Sequence, residues 1–448
     1  MPSREEVAYF GAGPAPMPTP VLEQGARAFV NFEDSGLSLA EISHRSPTAN
    51  KILADTRAAL TSLLDIPDTH EVLFMHGGGS GEFSAVVYNM VAYWVERRRR
   101  MAERELGDAQ EEILERLKRE VREEMRLDYI VSGSWSLKAS QEAANLLEPL
   151  KDGGKAGNYV NIVTDAREWN GGKFGKIPHE DTWKLTSPKA SVFAYYCDNE
   201  TVDGVEFPSF PKRLEPKEEG GDRLVVADMS SNFLSRRVDV SKYAVIYGGA
   251  QKNIGQWIHD VNNGAVVNRL RSGITDVTLV IVRKDILATA PSPSFLHGVG
   301  VWSSPAILNW SLNAKHNSLY NTMPIFSIWI AGQVMRSLLS THGDAKVAGQ
   351  EAVANAKAEI IYRILDSNPS VYQVVPDEYV RSRMNICFRV KDDATEKEFL
   401  QGAEGRMLQG LKGHRSVGGI RISNYNAVPM ANVQKLASYL EDFAQRKR

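Results

Sequence analysis

The 448-residue sequence predicts an α/β protein with a mainly parallel sheet, followed by a smaller α+β unit. Two observations lead to this fold class. From about Val72 to Val282, short β-rich runs alternate with turns and helical stretches, which is typical of parallel α/β sheets. After about Ala348 the order changes to helix, two strands, helix, strand and final helix. A chain of this length can bury a large core and should form about two domains.

The sheet-forming part of the chain contains seven short β-rich runs. In chain order they are VLFMH, YIVSG, YVNIV, SVFAYYC, RLVVAD, YAVIYGG and TLVIVR. Short apolar runs bounded by turn residues indicate strands that helices cover on both faces. We therefore expect a mainly parallel, seven-stranded sheet.

The carboxyl-terminal part carries the signals of a separate α+β unit. A helix pattern covers about 348–365, and strands follow near 372–375 and 384–390. A second helix pattern covers about 395–409, then comes GGIRISNYN, and a last helix begins near Met430. Because these elements lack the regular alternation of the first part, we expect them to form a smaller domain.

The composition is that of an ordinary globular protein and indicates neither a nucleic-acid nor a membrane partner. Hydrophobic residues make up 43% and charged residues 24%, and the formal net charge is −2. No run of about 18 apolar residues occurs, and MPSREEVAYFG lacks the apolar region of a signal peptide. The two cysteines, Cys197 and Cys387, fit a reducing compartment, so we expect a cytoplasmic protein without a metal site.

Two segments look like additions to the α/β pattern. In Glu96–Arg126 acidic and basic residues balance, and one face carries apolar residues at helical spacing. These are Leu114, Leu117, Val121 and Met125. The segment is a partner-binding helix, a nucleic-acid contact through Arg97–Arg100, or a solvent-exposed helical insertion; the interleaved acids favour the insertion. The second segment, Gln256–Gly273, is turn-rich and forms either a flap or an inert loop.

The stretch Arg223–Lys252 carries the most chemistry. The apolar runs Leu224–Ala227 and Tyr243–Tyr247 are followed by Asp228 and, after small residues, by Lys252. The carboxyl ends of neighbouring strands are where open α/β sheets bind ligands. Pyridoxal phosphate needs a lysine to form a Schiff base and an acid to keep its pyridine nitrogen protonated. The alternative is that the aspartate caps a turn and the lysine lies on the surface.

Three further sites fit the same cofactor. Met75–Phe83, MHGGGSGEF, lies between a strand and a helix pattern, where free backbone N–H groups could bind a phosphate. Trp135 follows another strand and could stack on a flat ring. Thr201 ends the next strand and could donate a hydrogen bond to a ring oxygen. Each also has a structural explanation: a tight turn, a core tryptophan and a turn hydroxyl.

Candidate anion-binding residues lie far apart in the chain. His44-Arg45 occurs in EISHRSP, and His414-Arg415 and Arg421 occur in LKGHRSVGGIRIS. Arginine forks suit carboxylates and phosphates, so this set fits a dianionic substrate. The alternative for each arginine is an ordinary surface salt bridge.

With these residues in place, the chain resembles the phosphoserine aminotransferases, a class V family of fold-type-I pyridoxal-phosphate enzymes. The resemblance extends almost from end to end. The motifs that carry it are EISHR, HGGGSGEF, NETVDG, ADMSSNFLSR, YAVIYGGAQKNIG, the pair Asn321-Thr322, SRMNI and LKGHRSVGGIRISNYNA. It implies a large cofactor-binding domain, 18–346, with insertions at 96–126 and 256–273, and a small domain, 1–17 with 347–448.

The resemblance also implies a role for each candidate residue around the cofactor. Lys252 would form the Schiff base and carry the proton of the substrate α-carbon, and Asp228 would pair with the pyridinium nitrogen. Trp135 would stack on the ring, and Thr201 would contact its phenolic oxygen. The residues implied for the cofactor phosphate are Gly79, Ser80 and Gln251, with Asn321 and Thr322 from the neighbouring subunit of a homodimer.

The substrate residues follow from the same resemblance. Arg421 would hold the α-carboxylate. The residues implied for the distal phosphate or carboxylate are His414 and Arg415, with His44 and Arg45 from the other subunit. Many bacterial members have arginine at the position of Ser80, so this chain lacks one possible cation there.

The implied reaction is amino transfer between L-glutamate and 3-phosphohydroxypyruvate, giving 2-oxoglutarate and O-phospho-L-serine. One alternative is another class V aminotransferase with an unphosphorylated substrate, which would not need the histidine–arginine cluster. A cysteine desulfurase is disfavoured because neither cysteine lies in an exposed, electropositive loop. An interaction protein with decayed motifs is disfavoured because Lys252 and Asp228 are intact.

Overall fold

The structure, a computed structural model, describes residues 2–148, 159–216, 223–254, 277–289 and 291–447. The turn-rich segment 256–273 lies outside these residues. The helices are α1 (Thr19–Val30), α2 (Pro47–Leu64), α3 (Gly78–Leu106), α4 (Gln110–Glu123), α5 (Ser134–Leu147), α6 (Lys284–Leu287), α7 (Pro293–Gly298), α8 (Trp310–Lys315), α9 (Ile325–His342), α10 (Lys346–Asp366), α11 (Asp393–Gly405) and α12 (Met430–Lys447).

In the first part of the chain the strands alternate with helices only as far as α5, after which seven strands follow with no α-helix between them in the described ranges. The strands are β1 (Ala8–Tyr9), β2 (His70–Met75), β3 (Arg126–Val131), β4 (Val160–Asp165), β5 (Ser191–Cys197), β6 (Asn199–Glu200), β7 (Val205–Glu206), β8 (Val225–Asp228), β9 (Val245–Gly249), β10 (Thr278–Arg283), β11 (Tyr372–Val374), β12 (Asn385–Val390), β13 (Leu408–Gln409) and β14 (Ile420–Ser423). Among the described residues no helix is both long and apolar enough to cross a membrane.

The central sheet has seven strands in the order β2-β10-β9-β8-β5-β3-β4. Each of the seven β-rich runs forms one of these strands, so the predicted α/β class with a mainly parallel sheet is confirmed. The exception to parallel pairing is β10, which runs antiparallel to both β2 and β9. Strands β8 and β9 are parallel neighbours, which brings the ends that carry Asp228 and Gly249 to the same edge.

Helices cover both faces of this sheet, which explains why its strands are apolar throughout. Successive side chains of a strand point to opposite faces. Val225 and Ala227 accordingly belong to one apolar cluster, and Val226 belongs to the cluster on the other face. Because both clusters exclude water, the polar residues at the strand ends are the first that can meet a ligand.

The carboxyl-terminal part forms a three-stranded antiparallel sheet, β11-β12-β14, packed with helices. Its elements begin and end within a few residues of the predicted ones, except that α11 ends at Gly405 rather than near 409. The apolar cluster of this part includes Phe388, Ile422 and Leu440. Ala8 and Phe10 belong to the same cluster, and β1 pairs with β13, so the chain's first residues pack here.

The charged segment Glu96–Arg126 is more deeply integrated than its charge pattern indicates. It comprises the end of α3, a turn and α4, and its apolar stripe packs in the core, with Leu117 fully buried. Arg98, which the pattern assigned to a solvated surface, is only 4% exposed. Its guanidinium donates to Glu124 Oε2 and to the Lys189 carbonyl, both at 2.9 Å, and lies 3.4 Å from Glu120 Oε2. Charge alone cannot reveal such buried pairing, because the partners lie on other elements.

Replacing Arg98 should therefore destabilise the protein. We expect Arg98→Ala to lower the free energy of unfolding by about 1.5–3 kcal/mol, because charged hydrogen bonds are lost in a buried site. The neighbouring Arg97 is exposed and lies over the Tyr93 ring, so Arg97→Ala should cost about 1 kcal/mol or less. Equilibrium urea unfolding of both variants checks this, and equal losses would contradict it.

Candidate active site

Asp228 ends β8 at the edge of the central sheet and is 5% exposed. One carboxylate oxygen, Oδ1, accepts a hydrogen bond from the Ser230 backbone N–H at 2.8 Å, so this oxygen does cap a turn. The other oxygen, Oδ2, lies against Gly79, where a Cβ atom would be 4.0 Å away. Burial raises the pKa of Asp228 above its usual range, and the carboxylate is therefore poised to favour a cationic partner.

Lys252 follows β9 in a turn and points back towards the same edge. Its Nζ donates a hydrogen bond to the carbonyl of Ala12. Burial, and then the nearby Arg421, lower the pKa of Lys252 to about 8, while Asp228 acts in the opposite direction. A lysine in this environment differs from the surface lysine of the alternative interpretation, because part of its population is a neutral amine near physiological pH.

The Gly-rich turn joins β2 to α3 beside Asp228. Gly77 and Gly78 have φ angles of +100° and +61°, which favour glycine, and α3 begins at once with Gly78. The first N–H groups of a helix lack partners within the helix, and the helix dipole adds positive potential. Gly79 and the exposed Ser80 lie in this first turn. The turn can therefore bind an anion.

Gln251 lies next to the lysine and has an unused polar atom. Its Oε1 is buried and accepts no hydrogen bond within the described part of the chain. A Cβ atom at Gly249 would be 2.5 Å from that oxygen, so the Gln251 amide fits there only because residue 249 has no side chain. A buried amide without a partner is costly, and a ligand with polar groups would satisfy it.

Trp135 is the second residue of α5, and two acids hold the start of that helix. Its backbone N–H donates to Glu200 Oε2 at 2.8 Å, and the Ser136 hydroxyl donates to Glu200 Oε1 at 2.6 Å. The Ser134 N–H donates to Asp203 Oδ2 at 2.7 Å. Burial, together with the charge of Asp203, raises the pKa of Glu200 to about 8. The indole Nε1 of Trp135 is buried and has no partner among the described residues.

The acids Glu200 and Asp203 are site residues that the sequence reasoning missed. Both belong to the motif NETVDG, in which only Thr201 was singled out. Their position in that motif was the available signal, but their partners lie more than sixty positions earlier in the chain. Thr201 itself is buried, and its carbonyl accepts a hydrogen bond from Arg421 Nη1 at 3.3 Å.

Arg421 and His414 line a cavity of about 540 Å³ beside Thr201. Arg421 lies on β14 and is 9% exposed, and the His414 ring bonds to the Ser416 hydroxyl through Nδ1 at 2.6 Å. Burial, followed by the charges of Arg421 and other cations, lowers the pKa of His414. Arg415 is exposed and is not among the residues that line this cavity.

Three further cations line the cavity and were not predicted. They are Arg167, Lys173 and Arg389. Arg167 pairs with Asp165 at 2.6 Å, and Arg389 pairs with Asp393 at 2.9 Å, so these two charges are already matched. Arg421 forms no such ion pair with a carboxylate in the described ranges, which leaves it suited to an anionic ligand.

The remaining predicted residues lie apart from this cluster within one chain. His44 and the exposed Arg45 immediately precede α2, and the exposed Asn321 and Thr322 lie just before α9. The first turn of α2 lies next to the segment that leads into α9, because Asn317 Nδ2 donates a hydrogen bond to Asn50 Oδ1 at 3.1 Å. No hydrogen bond or ion pair links the four residues to Lys252, Asp228 or Arg421 in the described ranges.

The chain is similar to known proteins over its whole length. A model of the family "Aminotransferase class-V" matches residues 7–106. A phosphoserine aminotransferase of Saccharomyces cerevisiae is 40% identical over 99% of this chain and 98% of its own length. A solved phosphoserine aminotransferase from Bacillus circulans subsp. alkalophilus is 30% identical, with a TM-score of 0.76 over 98% of both chains. A PLP-bound phosphoserine aminotransferase from Trichomonas vaginalis is 31% identical, with a TM-score of 0.74 over 97% of this chain and 99% of its own.

Proposed function

The chain belongs to the phosphoserine aminotransferase family of class V aminotransferases, and from this premise we propose that it transfers the amino group of L-glutamate to 3-phosphohydroxypyruvate. The products are 2-oxoglutarate and O-phospho-L-serine. The observation that carries the proposal is that Asp228 and Arg421 both lie near enough to Lys252 for their charges to act on its lowered pKa. An amine, an acid and a carboxylate-binding arginine are what amino transfer between an amino acid and a keto acid requires.

Pyridoxal 5′-phosphate is the cofactor, and the residues present fit it. Asp228 Oδ2 offers an acceptor for a protonated ring nitrogen, and Trp135 offers an indole face with an unpartnered Nε1. The first turn of α3 fits the phosphate through its free N–H groups, and Gln251 would donate to it through its amide Nε2, because its Oε1 can only accept. When bound, the ring supplies an electron sink for the negative charge that develops at the substrate α-carbon.

Two residues of the chain have separate roles in the reaction. Lys252 attaches the cofactor and, when free, takes and returns the proton of the substrate α-carbon. Its lowered pKa favours this, because general bases act best when their pKa lies near the working pH. Arg421, held by the Thr201 carbonyl, orients the substrate α-carboxylate so that the α-carbon faces the amine.

One pocket has to accept the γ-carboxylate of glutamate and the phosphate ester of the keto acid in turn. His414 lines the cavity with Arg421, and Arg415 follows His414 in the chain, so we propose that both donate hydrogen bonds to either anion. Ser80 adds a hydroxyl but no charge. The specificity for a dianion therefore depends on the histidine and arginine side chains.

We further propose a cytoplasmic homodimer in which each active site is composite. His44 and Arg45 would complete the distal anion pocket of the neighbouring subunit, and Asn321 with Thr322 would reach its cofactor phosphate. Two observations support this arrangement: the first turn of α2 is bonded to the segment that leads into α9, and no described hydrogen bond joins these residues to their own chain's Lys252. Cys197 and Cys387 are buried free thiols, which suits a reducing compartment.

An amino-transfer assay tests the proposed reaction. The purified protein should transfer the glutamate amino group to 3-phosphohydroxypyruvate with a much higher kcat/KM than to pyruvate or glyoxylate, since only the first offers a distal phosphate. A preference for pyruvate or glyoxylate would instead assign the chain to an aminotransferase with an unphosphorylated substrate.

Arg415→Ala should impair the phosphorylated acceptor selectively. We expect its KM for 3-phosphohydroxypyruvate to rise roughly tenfold to a hundredfold, because a charged contact is lost. Kinetics with glyoxylate, which lacks the phosphate, provide the comparison. Equal losses on both acceptors would locate Arg415 outside the distal pocket.

Cofactor uptake should depend on pH through the free amine of Lys252. Its pKa of about 8 predicts that the rate constant for pyridoxal-phosphate uptake by the apoenzyme rises with pH and levels off above pH 8. The reason is that only the neutral amine attacks an aldehyde. An ordinary lysine would give a midpoint near its usual pKa of about 10.4. Stopped-flow absorbance between pH 6 and pH 11 distinguishes the two midpoints, and the higher one would contradict the assignment.

A further inference from the structure

The four residues Gly11–Pro14, here called the amino-terminal strap, run past the Lys252 side chain. Before the strap, the Phe10 carbonyl accepts a hydrogen bond from the Ser423 N–H at 3.1 Å. After it, the Ala15 N–H donates to the Gln251 carbonyl at 3.1 Å. The strap is therefore tied at one end to the carboxyl-terminal sheet and at the other to the turn that carries the lysine.

Because Gly13 has no side chain, the Lys252 amine can occupy the space next to it. Its φ angle is +139°, a conformation that residues with a side chain rarely adopt. A Cβ atom at this position would be 2.5 Å from Lys252 Nζ and 3.1 Å from both Cδ and Cε. Any larger residue would have to displace the amine or the strap.

The Ala12 carbonyl accepts two hydrogen bonds. One comes from Lys252 Nζ and the other from the Tyr425 hydroxyl at 2.8 Å. Tyr425 is fully buried, and its oxygen also accepts a hydrogen bond from Asn385 Nδ2 at 3.2 Å. A rigid, buried phenol thus fixes the direction of the carbonyl that meets the amine.

We propose that the Ala12 carbonyl is a positioning group that holds the Lys252 amine whenever it is not joined to the cofactor, with Gly13 and Tyr425 maintaining that contact. The proposal rests on the proposed role of Lys252 in attaching the cofactor. A lysine has a long, flexible stem, and a free amine would otherwise explore many orientations. A carbonyl binds one N–H of a neutral amine and leaves the nitrogen lone pair free to attack, so it orients the amine without consuming it.

The test compares two ligands of the apoenzyme. Pyridoxal phosphate can join to a lysine, whereas pyridoxamine 5′-phosphate has no aldehyde and binds through the remaining contacts only. The rate constant for joining pyridoxal phosphate to the lysine, compared with the dissociation constant of pyridoxamine phosphate, therefore separates the orientation of the amine from the shape of the pocket. Stopped-flow absorbance measures the rate constant, tryptophan fluorescence quenching measures the dissociation constant, and borohydride reduction followed by peptide mass spectrometry identifies the lysine that is joined.

Two variants each have a matched control. Gly13→Ala is paired with Gly300→Ala, where φ is +87° and a Cβ atom would meet open space. Tyr425→Phe is paired with Tyr439→Phe, a fully buried tyrosine whose hydroxyl donates to the Phe399 carbonyl at 2.6 Å. The controls reproduce the added methyl group and the lost buried hydroxyl away from the lysine.

We expect the rate constant for joining pyridoxal phosphate to Lys252 to fall by about ten- to a hundredfold in Gly13→Ala, because the amine is displaced. Tyr425→Phe should lower this rate constant by about three- to tenfold, because the carbonyl that orients the amine loses one hydrogen bond. The controls should stay within about twofold of the wild-type rate constant.

Several outcomes would overturn the proposal. An unchanged rate constant in Tyr425→Phe overturns it even where Gly13→Ala does not fold. A slower joining that is matched by equally weaker binding of pyridoxamine phosphate also overturns it, since the strap would then shape the pocket as a whole. If borohydride locates the cofactor on another lysine, the proposed role of Lys252 fails together with that of the strap. If the cofactor is on Lys252 and the rate constant is unchanged, only the proposed role of the strap fails.

Discussion

Lys252→Ala should abolish nearly all transamination while leaving the fold intact. The variant loses both the group that attaches the cofactor and the base at the substrate α-carbon, and loss of a general base alone lowers kcat by about 10²- to 10⁴-fold. Among the described residues no other lysine meets Asp228 and Arg421 in this way. Glutamate-dependent turnover of 3-phosphohydroxypyruvate is the measurement.

A matched control separates chemistry from folding. Lys357 also has a lowered pKa, but it is fully buried and donates to the Tyr425 and Val428 carbonyls within the carboxyl-terminal part. Lys357→Met should affect stability more than the bound-cofactor spectrum, whereas Lys252→Ala should remove the covalent chromophore and retain a native circular dichroism spectrum. A Lys252→Ala enzyme with normal turnover would refute the lysine assignment.

Mixed dimers of Lys252→Ala and Arg45→Ala should regain activity that neither variant has alone. If each site uses Lys252 of one subunit and Arg45 of the other, a mixed dimer collects both defects in one site and neither in the other. A two-fold dimer forms such heterodimers in about half of random pairings, and half of their sites are intact, so about a quarter of wild-type activity should return.

The measurement needs proof that heterodimers form. Two affinity tags on the two variants allow the mixed species to be purified and assayed, and homodimers of each variant provide the baseline. Purified heterodimers without recovered activity would mean that Arg45 acts within its own subunit. Recovery would also show that the starts of α2 and α9 face the neighbouring active site.

Much of the fold followed from local patterns. Each β-rich run became a strand because period and turn residues are properties of neighbouring positions. The same local patterns placed Asp228 and Lys252 just after two of these runs. The parallel pairing of β8 with β9 then brings both residues to one edge of the sheet. The antiparallel direction of β10 was not predicted, because an apolar run has the same appearance in either direction.

The candidate site was only partly accessible from the sequence. Its individual residues were identified through motifs, but not the hydrogen bonds that hold them, such as Glu200 to the start of α5. The burial of Arg98 was also missed, because a charge run indicates a solvated surface unless its partners are known. Such partners lie on other elements of the fold.

The sequence by itself determined which segments become strands and helices and which residue types stand at their ends, since both are encoded within a few neighbouring positions. The tertiary structure alone decided that the Ala12 carbonyl meets Lys252, 240 residues away, and that Arg421 reaches Thr201, 220 residues away. The physical reason is that such contacts depend on how elements pack around a shared core, which no local period records.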